Sequence, residues 1–445
     1  MSIVVGGVIG SGIFLVPSTM IQKVGSVDML FAVWICGGLL TLAGALCYAE
    51  LSTAMPEAGG GYVFLRETYG PLWGFIYAWT ITWVGKSGAA ATLGTALFYY
   101  LAHFFPGLER VLVTVPYPIG PGGEPLEITH GQVLAMAVIL ALALINYIGV
   151  KSGGRVQVVG TVAKVGLILG IVAAALVSGE GDGANYAAAM PAAGGVSGFF
   201  AALVAALWAY EGWADLSYVA SEVKEPRKNL PRSLIGGTLI IISVYAVTNL
   251  AYFYILSPAE VGVSDRVAAT MMERVAGGTG AGIVSIAAMI SIFAALNATL
   301  LTSPRVAFAA AQDGLFFRAM GHVHAEHRTP STSILVIGAW SALLVFSGRY
   351  ENLFTYVVVA TWLLYGMTTA AVIVLRKKRP DMPRPYRTLG YPVVPILFVL
   401  VAAGMFVSTL LDSPRETLMG LTLILGGLPF YFYWKRRRKY ERRGA

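Results

Sequence analysis

The sequence predicts an all-α polytopic membrane protein with about twelve spanning helices, two five-helix halves of opposite topology and both termini in the cytoplasm. Three observations carry that reading. The chain is 57% hydrophobic and only 12% charged, with apolar runs long enough to cross a bilayer. Its basic residues collect in alternate loops. Two of its apolar runs are interrupted at corresponding positions, about 200 residues apart.

The apolar runs come first. A mean hydropathy of +0.71 over 445 residues exceeds what a soluble domain buries, and a soluble surface needs more charge. Runs of roughly 18–25 residues match a hydrocarbon core of about 30 Å. Spans are expected near 3–21, 29–55, 72–101, 131–150, 156–178, 196–221, 234–256, 279–303, 332–348, 353–375, 391–411 and 417–434. The ten-residue alternation of an outer-membrane barrel is missing. The first run lacks a basic leader and a small-residue cleavage site, so it reads as a span rather than a signal peptide. Cys36 and Cys47 fall in one predicted helix about 16 Å apart, too far for a disulfide, and read as structural.

Charge orients these spans. With the N-terminus inside, the cytoplasmic loops hold Arg66, Lys151, Arg155, the set Lys224 to Arg232, Arg305, Arg318 and Arg328. They also hold six basic residues from Arg376 to Arg387 and seven from Lys435 to Arg443, which makes 23. The opposite side carries six: Lys23, Arg110, Arg266, Arg274, Arg349 and Arg415. The net charge of +8 is therefore a topology signal and a contact with anionic lipid, not a nucleic-acid footprint. The expected location is a bacterial-type inner (plasma) membrane. The whole chain, 1–445, reads as one transmembrane domain: a first repeat over about 1–178, a second over about 196–375, two further helices over about 389–434 and a basic tail, 435–445.

The interrupted runs point to the site. The first reads Gly6-Gly-Val-Ile-Gly-Ser-Gly-Ile-Phe14 and the sixth Leu207-Trp-Ala-Tyr-Glu-Gly-Trp213. Each interior glycine costs a helix about 1 kcal/mol, so the first cluster favours unwinding. Glycines of membrane helices often serve close packing alone, but paired interruptions in two halves mark a midplane binding site. The N–H groups at Gly10, Ser11 and Gly12 lack helical partners and form a cradle for a carboxylate. Carbonyls near Val8 and Ile9, with those around Trp208, Ala209 and Glu211, suit an ammonium. A ligand with both groups on one carbon is an α-amino acid.

The chain also resembles the L-type amino acid transporter branch of the amino acid–polyamine–organocation superfamily over nearly its whole length. The resemblance lies in GGVIGSGIF (6–14), GALCYAELSTAMPEAGGGY (44–62), AYEGW (209–213), SEVKEPRKNLPRSL (221–234), LNATLLTSPRVAFAAAQDG (296–314) and LRKKRPDMPRPY (375–386). It implies the LeuT/APC-type inverted-repeat fold and exchange of amino acids across the membrane. It further implies that backbone around Val8, Ser11, Gly12, Trp208 and Glu211 holds the substrate's α-groups. Trp208 would be a bulky gate, and Thr361 a polar residue near the site. Heavy-chain partners of eukaryotic relatives attach through a cysteine between the third and fourth spans. Residues 102–130 contain none, so no disulfide-linked heavy chain is expected. In the family a polar leader usually precedes the first span, which here starts within a few residues of Met1.

Intramembrane charges need partners. Lys164 lies mid-span in the fifth helix, where sodium-using relatives place their ion and the L-type branch has a lysine. The resemblance implies that it bonds freed carbonyls of the first helix, coupling the break to the gate, and burial of its ammonium makes it a candidate proton carrier. Lys86 either faces the outer vestibule or snorkels. Glu211 either attracts a cationic substrate or is satisfied internally, by a cation or a proton; Asp215 is expected to face a cytoplasmic vestibule. His322, His324 and His327 read as solvated loop residues rather than a metal site. No P-loop and no intramembrane Ser–His, carboxylate-pair or metal constellation occurs, which argues against an ATP-driven pump or an enzyme and implies no cofactor. The expected activity is secondary transport of amino acids by alternating access, by exchange of neutral substrates. The alternatives are proton-coupled import, and transport of cationic amino acids or polyamines.

Overall fold

A computed structural model describes residues 1–116, 125–192, 194–347, 350–412 and 414–441. Arg349 and the last four residues of the basic tail, Arg442 and Arg443 among them, lie outside the described residues. The chain is helical almost throughout. The first apolar run is two helices, α1 (Ser2–Val8) and α2 (Gly12–Val24), bent by 46° at the glycine cluster. Next come α3 (Val27–Ala54), the short α4 (Gly61–Tyr69), α5 (Pro71–Thr80) and α6 (Lys86–Leu101). A π-helical turn, Ile81–Gly85, joins α5 to α6. Strands β1 (Val111–Val115) and β2 (Leu126–Thr129) pair antiparallel ahead of α7 (His130–Ile148) and α8 (Val150–Val177).

Helix α9 (Gly195–Ala209) stops at the expected break and continues as a 3-10 segment, Trp213–Glu222. Then follow α10 (Pro226–Ile255), α11 (Pro258–Val263), α12 (Val267–Thr302), α13 (Pro304–Gln312), α14 (Ser331–Leu344) and α15 (Tyr350–Lys378). The last helices are α16 (Val393–Asp412), α17 (Pro414–Leu425) and α18 (Leu428–Glu441). Among the described residues six helices are long and apolar enough to cross a membrane, or seven with the bent α1–α2 pair.

Helix α3 lies on α10, α6 on α12 and α7 on α14, while α8 packs on α12 and α15 on α6. Both broken runs sit inside this frame: α1 touches α8, α10 and α12, and α9 is flanked by α2 and α3. Two boundaries differ from expectation. The eighth span, expected from 279, belongs to a longer helix that begins at Val267 and kinks at Ala276 and Gly277. The twelfth breaks at Gly426-Gly427, where a Cβ on Gly427 would meet the Trp79 ring at 2.7 Å. The outer faces are apolar where lipid would lie: Val158, Val159 and Val162 on α8 and Leu397 and Leu400 on α16 are exposed.

Candidate functional site

The two breaks meet. Gly212 has φ +108°, a left-handed conformation only glycine holds cheaply, and a Cβ there would meet the Gly7 carbonyl at 3.2 Å. A Cβ on Gly12 would lie 2.5 Å from the Ala209 Cα, so Gly12 is what lets α2 rest against α9. In α2 the first intrahelical bonds run from Phe14 and Leu15 N–H to the Ser11 carbonyl. The N–H groups of Gly12 and Ile13 therefore sit ahead of the helical ladder, at the positive end of the helix dipole.

Between the breaks lies a narrow cavity walled by Gly7, Val8, Gly10, Ser11, Gly12, Lys86, Trp208, Glu211 and Thr299. Its volume is about 20 Å³, room for roughly one water. Of the residues expected here, Val8, Gly10, Ser11, Gly12, Trp208 and Glu211 line it. Ile9, Ala209 and Thr361 do not. The Ile9 carbonyl is turned to the far side of α1, and Thr361 packs its methyl against Gly85 in the π-helical turn.

Lys164 is the strut behind the first break. Its buried Nζ donates to the carbonyls of Gly6 at 2.6 Å and Ser291 at 3.4 Å, and to that of Ile9. Ser291 adds a hydroxyl to the Ile9 carbonyl at 3.0 Å. The carbonyls that α1 leaves without helical partners are thus satisfied from α8 and α12. On the other face the Tyr245 hydroxyl lies 2.7 Å from the Ala209 carbonyl and 3.2 Å from that of Val8, bridging both breaks. No sequence signal marked Tyr245.

Lys86 is neither snorkelling nor exposed to a vestibule. It is 1% exposed, and its Nζ lies 2.9 Å from Glu211 and 2.5 Å from Asp215. Asp215, expected toward cytoplasmic water, is buried with it, because the 3-10 segment after Gly212 turns its side chain back toward α6. Glu211 Oε1 also accepts from the Tyr365 hydroxyl at 2.8 Å, and Asp215 from Thr302 at 3.4 Å. Glu211 thus has an internal cation beside it, one that it shares with Asp215. Tyr365 went unnoticed in the sequence, although it stands one turn from Thr361 on the same helix.

The two ends of the site differ. On one side the Tyr77 and Tyr218 hydroxyls meet at 3.0 Å, and the Gly59 N–H donates to the Tyr218 carbonyl at 3.0 Å. Beyond them Arg66 pairs with Asp313 and Arg305 with Glu222 at 3.0 Å. At the other end a cavity of about 720 Å³ opens between α2, α6 and the residues after α11, lined by Ser18, Gln22, Tyr99, His103, Glu109 and Arg266. Among the described residues no group of His, Cys, Asp or Glu side chains is arranged to hold a metal ion.

A polytopic bundle with two broken helices meeting at a narrow polar cavity defines a membrane carrier. A family model described as amino acid permease matches residues 1–428. The chain belongs to that amino acid permease family, a multi-pass plasma-membrane protein whose family members are carriers rather than enzymes. It is 32% identical to the serine/threonine exchanger SteT of Bacillus subtilis (strain 168), over 98% of this chain and 96% of that one. It is 30% identical to the b(0,+)-type amino acid transporter 1 of Mus musculus, over 97% and 85%. It is 32% identical to the mouse large neutral amino acids transporter small subunit 2, over 98% and 80%.

Proposed function

We propose that this protein is a secondary amino acid transporter that exchanges neutral amino acids by alternating access. The observation that carries the reading is the junction of the two breaks, with a carboxylate cradle at the start of α2 and carbonyls at the end of α9. In this reading the N–H groups at Ser11 and Gly12 hold the α-carboxylate. The remaining lone pairs of the Val8 and Trp208 carbonyls take the α-ammonium, and Trp208 caps the side chain. The Ile9 carbonyl serves Lys164 instead. The pairing of Glu211 with Lys86 favours a neutral side chain over a cationic one. The relatives' names, an exchanger and transporters of neutral amino acids among them, agree with it.

The architecture proposed is twelve spans with both termini cytoplasmic and a five-plus-five inverted repeat. Its support is the packing of second on second, third on third and fourth helix on its counterpart, together with the charge asymmetry of the loops. In that orientation the wide cavity opens outward and the tyrosine and ion-pair layers close the cytoplasmic side. A cavity of about 20 Å³ cannot hold an amino acid, so binding requires α1 and α9 to part slightly at the junction.

The test is exchange in proteoliposomes. Vesicles loaded with unlabelled amino acids receive labelled serine, alanine, leucine or arginine, with empty vesicles as the control. Uptake confined to loaded vesicles, strongest for a neutral label, is expected. Equal uptake into empty vesicles, driven by an inward proton gradient, would replace exchange with import.

A further inference from the structure

The charges at the junction do not balance. Lys86, Glu211 and Asp215 are 1%, 7% and 1% exposed, and one ammonium faces two carboxylates. The surrounding elements supply no second cation among the described residues. From α3 comes Tyr48, from α5 Tyr77, from the 3-10 segment Tyr218, from α12 Thr302 and from α15 Tyr365, all neutral hydroxyl groups. Arg305, one turn beyond Thr302, is held by Glu222. Lys164 is committed to backbone carbonyls on the far face of α1. A surplus negative charge in a site this dry is costly, and it is removed by gaining a proton or a cationic ligand.

The hydrogen bonds show where a proton would go. Glu211 Oε1 accepts from Lys86 and Tyr365, and Asp215 Oδ2 accepts from Thr302, while Asp215 Oδ1 has no hydrogen-bond partner among the described residues but lies in charge contact with the Lys86 ammonium at 2.5 Å. Glu211 Oε2 is buried with no hydrogen-bond partner among the described residues, and Glu211 is part of the cavity wall beside Ser11, Gly12 and Trp208. Two carboxylates on one ammonium share a proton more cheaply than both ionise.

We propose that Lys86, Glu211 and Asp215 form a one-proton site, in which the carboxylate pair shares a single proton carried at Glu211 Oε2 and exchanged with the substrate cavity. The Oε2–H bond forms as a hydronium ion in the cavity water gives up one of its O–H bonds and becomes water, and it breaks by returning that proton to a water molecule; no electrons move. Occupancy of that proton sets how well the cavity takes substrate during exchange, while Lys164 remains a fixed strut. The inference rests on the proposed transport reading only for that link; the proton site stands on the triad's own geometry.

The test uses the full chain in lipid vesicles, without substrate, and infrared difference spectra across a pH titration. Wild type is expected to show the C=O stretch of one protonated carboxylic acid, lost as the pH rises. Glu211→Gln and Asp215→Asn should each lose the band, because either change leaves one carboxylate against one ammonium. Lys164→Gln should keep it. Should Glu211→Gln fail to fold, Asp215→Asn decides by the same band. In parallel, wild-type transport should fall by up to about tenfold per pH unit on the alkaline side, and the profile of any variant retaining transport should flatten. The absence of the band in wild type overturns the proposal and leaves the surplus charge to a cationic substrate side chain. Its persistence in both carboxylate variants overturns it too. A band without transport in wild type would instead sink the transport reading and spare the proton site.

Discussion

Removing Lys86 leaves Glu211 and Asp215 facing each other without a counter-ion. Breaking a buried ion pair from one side costs about 3–5 kcal/mol, so Lys86→Met should lower the melting temperature of the purified protein sharply. Lys86→Met combined with Asp215→Asn should recover part of that loss, and no recovery would mean that the pairing contributes little. Lys164 acts differently, since its partners are backbone carbonyls. Lys164→Ala is expected to cut transport at least tenfold while the protein still elutes as a folded species; normal transport kinetics would show that the strut behind the first break is dispensable. Gly12→Val should abolish substrate binding, because its first side-chain atom already collides with Ala209 backbone. Unchanged affinity in that variant would place the carboxylate cradle elsewhere. Lys86, Lys164 and Glu211 were conspicuous in the sequence because a bilayer makes any charge conspicuous. Their pairing was not legible, because it depends on how far the chain turns after Gly212. Tyr245 was invisible for a plainer reason: a tyrosine in an apolar run carries no charge to betray it.

The elements that define the conducting path are mostly short. The break between α1 and α2 was readable from four glycines in seven positions, and the end of α9 from Glu211-Gly212. The π-helical turn at Ile81–Gly85 was not, since its residues continue the apolar run without interruption, yet it holds the start of α6, where Lys86 stands. Beyond the junction, α4 and α13 are clamped by Arg66 and Asp313, with the Tyr62 hydroxyl donating to Asp313 at 2.6 Å. Asp313→Asn removes the charge from that clamp, and labelling of a cysteine at Ser217 by an inside-facing thiol reagent should then rise several-fold. Equal labelling would show that Tyr77 and Tyr218 close the path by themselves. At the other end, Glu260 in α11 caps its own helix through Ser257 and pairs with Arg274. The Arg274 hydrogen bond, seconded by those from Ser257, holds the Glu260 carboxyl well below the usual range, at about 2. Its contribution is therefore present above about pH 4.5 and lost as the pH falls toward 2. Both side chains are well exposed, so the loss is small. The difference in melting temperature between wild type and Glu260→Gln should shrink to nothing across that window, and a constant difference would rule the pair out.

At the scale of the whole molecule, a bilayer supplies constraints that a soluble fold lacks. Every backbone polar group at membrane depth needs a partner inside the protein, so length and hydropathy alone expose most of the architecture. The order of the helices along the chain followed from that, and the two broken runs showed as interruptions of it. What hydropathy cannot tell is which end of the bundle is open. Here the cavity of about 720 Å³ lies at the ends of α2 and α6 and the tyrosine layer at the opposite end. Which side of the membrane each end faces follows from the loop charges, through Arg66, Arg305, Arg318, Arg328 and the run from Arg376. In the proposed orientation, with those loops inside, the open end would face outward and the last helix would return the C-terminus to the cytoplasm. A fluorescent protein fused after Ala445 should then fluoresce in bacterial cells, whereas alkaline phosphatase at the same point should stay inactive. A thiol reagent unable to cross the membrane should label Thr19→Cys in intact cells, in the wide cavity. Active phosphatase with an unlabelled Thr19→Cys would invert the molecule. The tyrosine and ion-pair layers would then be the outer gate, and the same cavity would admit substrate from the cytoplasm.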